Sequence, residues 1–118
     1  MRKVTGNKSD ILNRLEILYL ELIPALDNFP KKRQYTLGEK IDGTFLAVVS
    51  AFYSASYDKA HREAGLIQMR GHLHSLVFLL RISFRLKALS PALYEKFSKE
   101  LVEIGKIISS WIKKGRES

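Results

Sequence analysis

The chain has 118 residues, 46% of them hydrophobic, and carries 20 Lys and Arg against 12 Asp and Glu, a net charge of +8. That length and apolar fraction suit one globular unit over residues 1–118, which can bury roughly two thirds of its unfolded surface, and a charge of this size attracts polyanions such as RNA, DNA or an acidic protein face. The lack of cysteine excludes disulfide frameworks, thiolate zinc sites and cysteine nucleophiles.

No apolar run approaches the roughly 20 residues needed to cross a bilayer, since the longest, around Leu76 to Leu80, closes at Arg81. The N-terminus, Met1-Arg2-Lys3-Val4-Thr5-Gly6-Asn7-Lys8, has charge but no apolar stretch behind it, which does not match a secretory signal. The expected location is the cytoplasm, without membrane attachment.

Apolar residues recur at helical spacing throughout, and four segments separated by short polar or proline-containing breaks predict an up-and-down antiparallel four-helix bundle with helices over roughly 9–29, 36–56, 60–88 and 91–114. The first, capped by Ser9 or Asp10, carries Ile11, Leu15, Leu18, Leu22 and Leu26 on one stripe. Pro24 lies inside it and lacks the amide that would bond to Leu20, so the last turn should kink or tighten, and Pro30 should end it.

The second helix is expected to begin at a capping box, Thr36-Leu37-Gly38-Glu39, with Ile41, Phe45, Val48, Phe52 and Ala55 facing inward and Ala47 and Ala51 beside them. In the third, Leu66, Met69, Leu73, Leu76, Leu80 and Phe84 form the stripe, while Val77, Phe78, Leu79 and Ile82 widen the apolar arc. The wide arc fits either oligomerisation or one broad core. Ser90-Pro91 marks the fourth start, as cap and first helical residue. Leu93, Phe97, Leu101, Ile104, Ile108, Trp111 and Ile112 follow, and Gly115 is a natural stop before a frayed tail.

The excess charge is uneven. Lys31, Lys32 and Arg33 stand together in the expected loop between the first two helices, and residues 58–89 carry a net +4. At about 100° per residue, Lys59, Arg70, His74, Arg81 and Arg85 fall within an arc of about 80° on the third helix, interrupted by Glu63, Leu66 and Val77. Guanidinium groups can grip phosphate through paired hydrogen bonds, so this stripe is a candidate nucleic-acid contact. The alternative is that Arg81 and Arg85 pair with carboxylates of the first helix such as Glu16 or Glu21, and spacing does not decide between the two.

Catalytic and metal chemistry find little support. His72 and His74 point to different sides of a helix and His61 lies about three turns from His72, so no local metal pair forms. Gly65 and Gly71 stand in no phosphate-cradling loop and read as points of close helix contact. No nucleophile, base and orienting group can be assembled from nearby residues, which argues against an enzyme and against any cofactor. Tyr19, Phe45, Phe52 and Trp111 lie on the helical stripes and read as core.

The stretch Leu22-Ile23-Pro24, then Phe29-Pro30-Lys31-Lys32, then Tyr35-Thr36-Leu37-Gly38-Glu39-Lys40-Ile41 resembles the accessory variability determinant (Avd) proteins of diversity-generating retroelements. Leu80-Arg81, Leu89-Ser90, Glu103-Ile104-Gly105-Lys106-Ile107-Ile108 and Trp111-Ile112 are similar to the other end of that family, so that the likeness spans roughly residues 11–113. It implies a four-helix bundle assembled as a ring-shaped homopentamer with a basic surface, binding reverse transcriptase and template RNA or cDNA and supporting mutagenic retrohoming without doing chemistry itself. Arg81 is the first choice of nucleic-acid-binding residue, with Arg70 and Arg85 as neighbours and Lys31, Lys32 and Arg33 as a second group.

A second branch is formed by the four-helix proteins encoded in intervening sequences of bacterial 23S ribosomal RNA genes, nucleic-acid-binding or scaffold modules that share the Phe-Pro loop. These usually carry an Ile-Pro-Ala-Asn-Ile-Ala-Glu-Gly-like stretch on helix two. This chain instead reads Val48-Val49-Ser50-Ala51-Phe52-Tyr53-Ser54-Ala55.

Overall fold

The computed structural model describes residues 8–117, so the reading of Met1 to Asn7 falls outside it. Among the described residues there are four long helices and no strand: α1 (Lys8–Asp27), α2 (Glu39–Tyr57), α3 (Arg62–Arg85) and α4 (Pro91–Glu117). None is long and apolar enough to cross a membrane.

Side-chain contacts show each neighbour running antiparallel to the next. Between α1 and α2, the Lys8 ammonium donates to the Ser56 carbonyl at 3.2 Å and the Tyr19 hydroxyl to Asp42 at 2.8 Å. Between α1 and α4, Arg14 meets Glu100 and Glu21 meets Lys96. Between α3 and α4, Glu63 meets Arg116 and Phe84 stacks on Tyr94. The α1–α2 and α3–α4 connections therefore lie at the same end of the bundle.

The stripes expected from spacing fill the core: Ile11, Leu15, Ile41, Phe45, Val48, Met69, Leu73, Leu76, Leu80, Phe97, Ile104 and Ile108 are each at most 1% exposed. Burial of each such side chain contributes roughly 1.5–3 kcal/mol against conformational entropy. Gly65 lets α3 approach α2 closely, since a Cβ there would lie 3.0 Å from the Ala55 Cβ and 3.1 Å from its backbone nitrogen. Gly71 does not share this role; a Cβ there would meet nothing within 4 Å.

The helix ends differ from expectation in four places. The final turn of α1 tightens as Pro24 demands, with the Asn28 amide shared between the Pro24 and Ala25 carbonyls at 3.2 Å and Phe29 bonded to Leu26 at 3.0 Å. Pro30, however, opens the next helix rather than merely ending the last. Its backbone is extended (φ −52°, ψ 144°), and the Arg33 and Gln34 amides bond to its carbonyl at 2.7 and 3.1 Å. Lys31–Arg33 is thus a helical turn, not a loop, and continues through a π-helical segment, Gln34–Gly38, into α2.

The Thr36–Glu39 capping box consequently does not form. Thr36 already lies inside the helix, where its hydroxyl donates back to the Lys32 carbonyl at 3.2 Å. Gln34 does the end-capping instead, donating to the Asp27 and Phe29 carbonyls at 2.8 and 3.0 Å and closing the end of α1.

At the far end of α3, Ser83 takes the inward place assigned to Phe84. It is fully buried, with its hydroxyl on the Leu79 carbonyl at 2.8 Å, while half-buried Phe84 stacks on Tyr94 at 4.7 Å. The Ser83 carbonyl accepts from the Ala88 and Leu89 amides, and Lys87 adopts a left-handed backbone with φ 64°. The helix therefore ends at Arg85 rather than near 88.

Ser90 caps α4 as expected, accepting from the Leu93 amide at 3.2 Å. Gly115 does not stop that helix, which runs to Glu117 and is tied to α3 by Arg116 on Glu63 at 2.9 Å.

Candidate nucleic-acid interface

Residues of α3 that are neither core nor packed on α2 turn toward α4 or to solvent. Arg81, Arg85 and His74 are exposed, and Arg70 is half-buried beside α4, where its guanidinium donates to the Ser109 hydroxyl at 3.2 Å. Of the predicted stripe, Arg70, His74, Arg81 and Arg85 share the helix as spacing required. Lys59 does not belong to it, because Lys59–His61 is a 3-10 turn ahead of α3 whose tighter winding breaks the angular count. Leu66 is buried and Val77 half-buried, so the interruptions at those positions belong to packing.

The proposed pairing of Arg81 or Arg85 with α1 carboxylates is not made within the protomer. Glu21 is taken by Lys96 at 3.3 Å, and Arg14 occupies Glu100 and Glu103, both at 2.8 Å. The hydrogen bond to Glu100 raises the Arg14 pKa above its ordinary value, outweighing partial burial. Among the described residues, neither Arg81 nor Arg85 has an ion pair or hydrogen-bonding partner for its guanidinium. In water such groups keep their charge available for a ligand.

Helix α4 adds cations that the stripe reading omitted. Lys99, Lys106 and Lys113 recur at seven-residue spacing on its exposed side and have no ion-pair partner among the described residues. Lys106 and His74 line opposite walls of an open groove of about 290 Å³ between α3 and α4, floored by Leu73, Leu101 and Gly105. The signal was present as a heptad of lysines. It became meaningful only once α4 was seen beside the arginines of α3.

Lys31, Lys32 and Arg33 lie apart from this groove, at the bundle end shared with the α3–α4 connection, and none is paired among the described residues. The antiparallel register thus brings them to the end that carries Arg85 and Lys87, two groups that sequence order keeps more than 50 residues apart.

A second open groove, about 700 Å³, runs between α2 and α3 and is lined by small residues, Gly43, Thr44, Ala47 and Ser75, together with Phe78, His72 and His74. Of the wide apolar arc of α3, Val77 and Leu79 pack against the core and Ile82 is half-buried, while Phe78 stays outside at 60% exposure, as does Leu46 of α2 at 50%. His61 is held separately, its ring nitrogen 2.6 Å from Asp58, and that contact lowers the Asp58 pKa. No group of three His, Asp or Glu side chains converges among the described residues.

A protein-family model described as bAvd-like matches residues 10–115, about nine-tenths of the chain. No curated protein and no solved structure matches it.

Proposed function

The chain belongs to the bAvd-like family, and on that premise we propose that it is a non-catalytic accessory protein of a diversity-generating retroelement. It binds template RNA or its cDNA through the basic α3–α4 surface, associates with the reverse transcriptase, and supports mutagenic retrohoming in the cytoplasm. The observation that carries this reading is the set of unpaired cations, Arg81 and Arg85 on α3 with Lys106 and Lys113 on α4, on a bundle where Glu21, Glu100 and Glu103 lie in the α1–α4 groove, with Lys99 at its edge, and are already occupied. Arg70 supports it from beside Ser109 of α4, and Lys31, Lys32 and Arg33 extend the positive field to one end.

Self-association, as a ring-shaped homopentamer, is supported by the α2–α3 outer face. Phe78 is exposed in a groove lined by small residues, which let another backbone approach.

The test is binding of RNA and DNA by anisotropy over a salt series. The logarithm of affinity should fall linearly with the logarithm of salt concentration, and changing Arg70, Arg81 and Arg85 together to Glu should abolish binding while leaving the oligomer intact. If the triple change instead dissociates the assembly and the wild type binds nucleic acid weakly, the arginines serve subunit contacts and the protein is a scaffold. Arg70 is the residue on which that outcome would rest, because it alone of the three already bonds inside the protomer. Co-purification from the host of a reverse transcriptase with one discrete template-like RNA tests the retroelement role.

A further inference from the structure

Beyond the cations, the end of the bundle that carries Lys31 holds an aromatic ring with no structural work assigned to it. Tyr35 is 64% exposed, and among the described residues its ring stacks on no other and its hydroxyl has no partner. It stands in contrast to Tyr19, Phe45 and Tyr94, whose rings pack on other rings at 4.7–5.2 Å, and to Tyr53 and Tyr57, which stack on each other. Lys31 and Lys32 precede Tyr35 by four and three residues in the same continuous helix, so ring and ammonium groups share one face.

The segment bearing Tyr35 is the π-helical Gln34–Gly38, a winding rare in proteins and frequent at functional sites. It is held from behind, by Gln34 on the Asp27 and Phe29 carbonyls, by buried Gly38 and by half-buried Leu37, so the platform is rigid although the ring is exposed.

The facing connection supplies the second observation. Lys87 occupies a left-handed backbone position, φ 64°, where glycine is favoured, and its side chain is exposed and unpaired. The antiparallel order of the helices puts the helix start at Lys31 and the 86–90 connection that carries Lys87 at the same end of the bundle. Tyr35 also lines a small groove with Asp27, Glu39 and Asp42, whose carboxylates repel phosphate, so a strand stacked on the ring has its phosphates drawn toward the cations of this end and not into that groove.

We propose that this end binds unpaired nucleotides, with a base stacked on the Tyr35 ring and the adjoining phosphates held by Lys31, Lys32 and Lys87. A duplex has its base faces covered by stacking and can use only the cations, whereas a single strand can use both. The inference rests on the nucleic-acid reading given above and adds to it a preference for strand state and the residues that produce it.

The test measures affinities of the full chain for an unpaired RNA and an unpaired DNA of about 16 nucleotides, and for a blunt duplex of matched phosphate number. Tyr35→Ala should weaken both single strands about tenfold and leave the duplex within about twofold, and Tyr35→Phe should bind like the wild type, because the ring and not the hydroxyl carries the contact. Lys87→Gly should keep the fold and reduce the single-strand salt slope by about 0.7. Equal losses on single strand and duplex for Tyr35→Ala, or none on either, overturn the stacking site while the basic surface stands. Failure of the wild type to bind any of the three overturns both.

Discussion

Helix α4 faces α1 on one side and α3 on the other, and its two flanks treat charge in opposite ways. Toward α1, Glu100 and Glu103 share the Arg14 guanidinium and Lys96 meets Glu21, so that two cations are held by three carboxylates. Toward α3 and solvent, Lys106 lies across a groove from His74, and Arg81 and Arg85 stand without carboxylates. The same helix therefore withdraws acid from one surface and leaves base on another. A net charge of +8 becomes directional in part because three of the twelve carboxylates gather where α1 and α4 meet.

The largest effect that tests this contrast is on binding. Charge reversal of Lys106 and Lys113 to Glu should lower nucleic-acid affinity by more than about tenfold at moderate salt and flatten the salt slope, with thermal unfolding nearly unchanged. Retained affinity would confine the interface to α3 and remove α4 from it.

A second contrast separates the two glycines of α3. Gly65→Ala should destabilise by about 1–3 kcal/mol in denaturant titrations, because the added methyl meets Ala55 backbone that cannot swing aside. Gly71→Ala, on open space, should stabilise the isolated fold by about 0.5–1 kcal/mol through helix propensity. A loss of the assembly with Gly71→Ala would place that outer face in a subunit contact.

On the paired flank, Arg14→Ala should cost about 1 kcal/mol of stability, reflecting bonds to two partly exposed carboxylates, and leave nucleic-acid affinity unreduced. Weaker binding in this variant would break the division between the two flanks.

The smallest effect concerns pH. The hydrogen bond from Tyr19 to Asp42 raises the tyrosine pKa above its ordinary value, and burial and the Asp42 charge add to it in the same direction. A raised folded-state pKa means that the protonated hydroxyl stabilises the fold fully below the unfolded value, and that this is lost as pH rises through the folded one. Unfolding temperatures followed upward from pH 8 should therefore fall more steeply above about pH 10 in the wild type than in Tyr19→Phe. Parallel curves would show that the hydroxyl contributes nothing.

Much of this was legible in the residues. Apolar residues at three- and four-residue steps marked the buried faces of all four helices, and Ser90-Pro91 marked a start that local chemistry alone determines. The second helix was misread at its start for an instructive reason: Thr36 and Glu39 form a valid local cap, but Gln34 reaching back five and seven residues to Phe29 and Asp27 competes with it and wins. Gly115 was misread likewise, since a glycine that can end a helix does not when Arg116 beyond it finds Glu63 on another helix.

The basic site was legible only by halves. Arg70, Arg81 and Arg85 were visible as a stripe, but nothing in one segment says whether a carboxylate on a distant one will neutralise it.

The sequence by itself determined the helical class, the inward faces and the total charge, because each depends on spacing within one segment or on composition. Tertiary structure decided which charges cancel, that Lys31 and Lys87 share one end of the bundle, and which apolar residues stay outside. Those depend on the register between helices far apart in the chain, set by the packing of one surface on another.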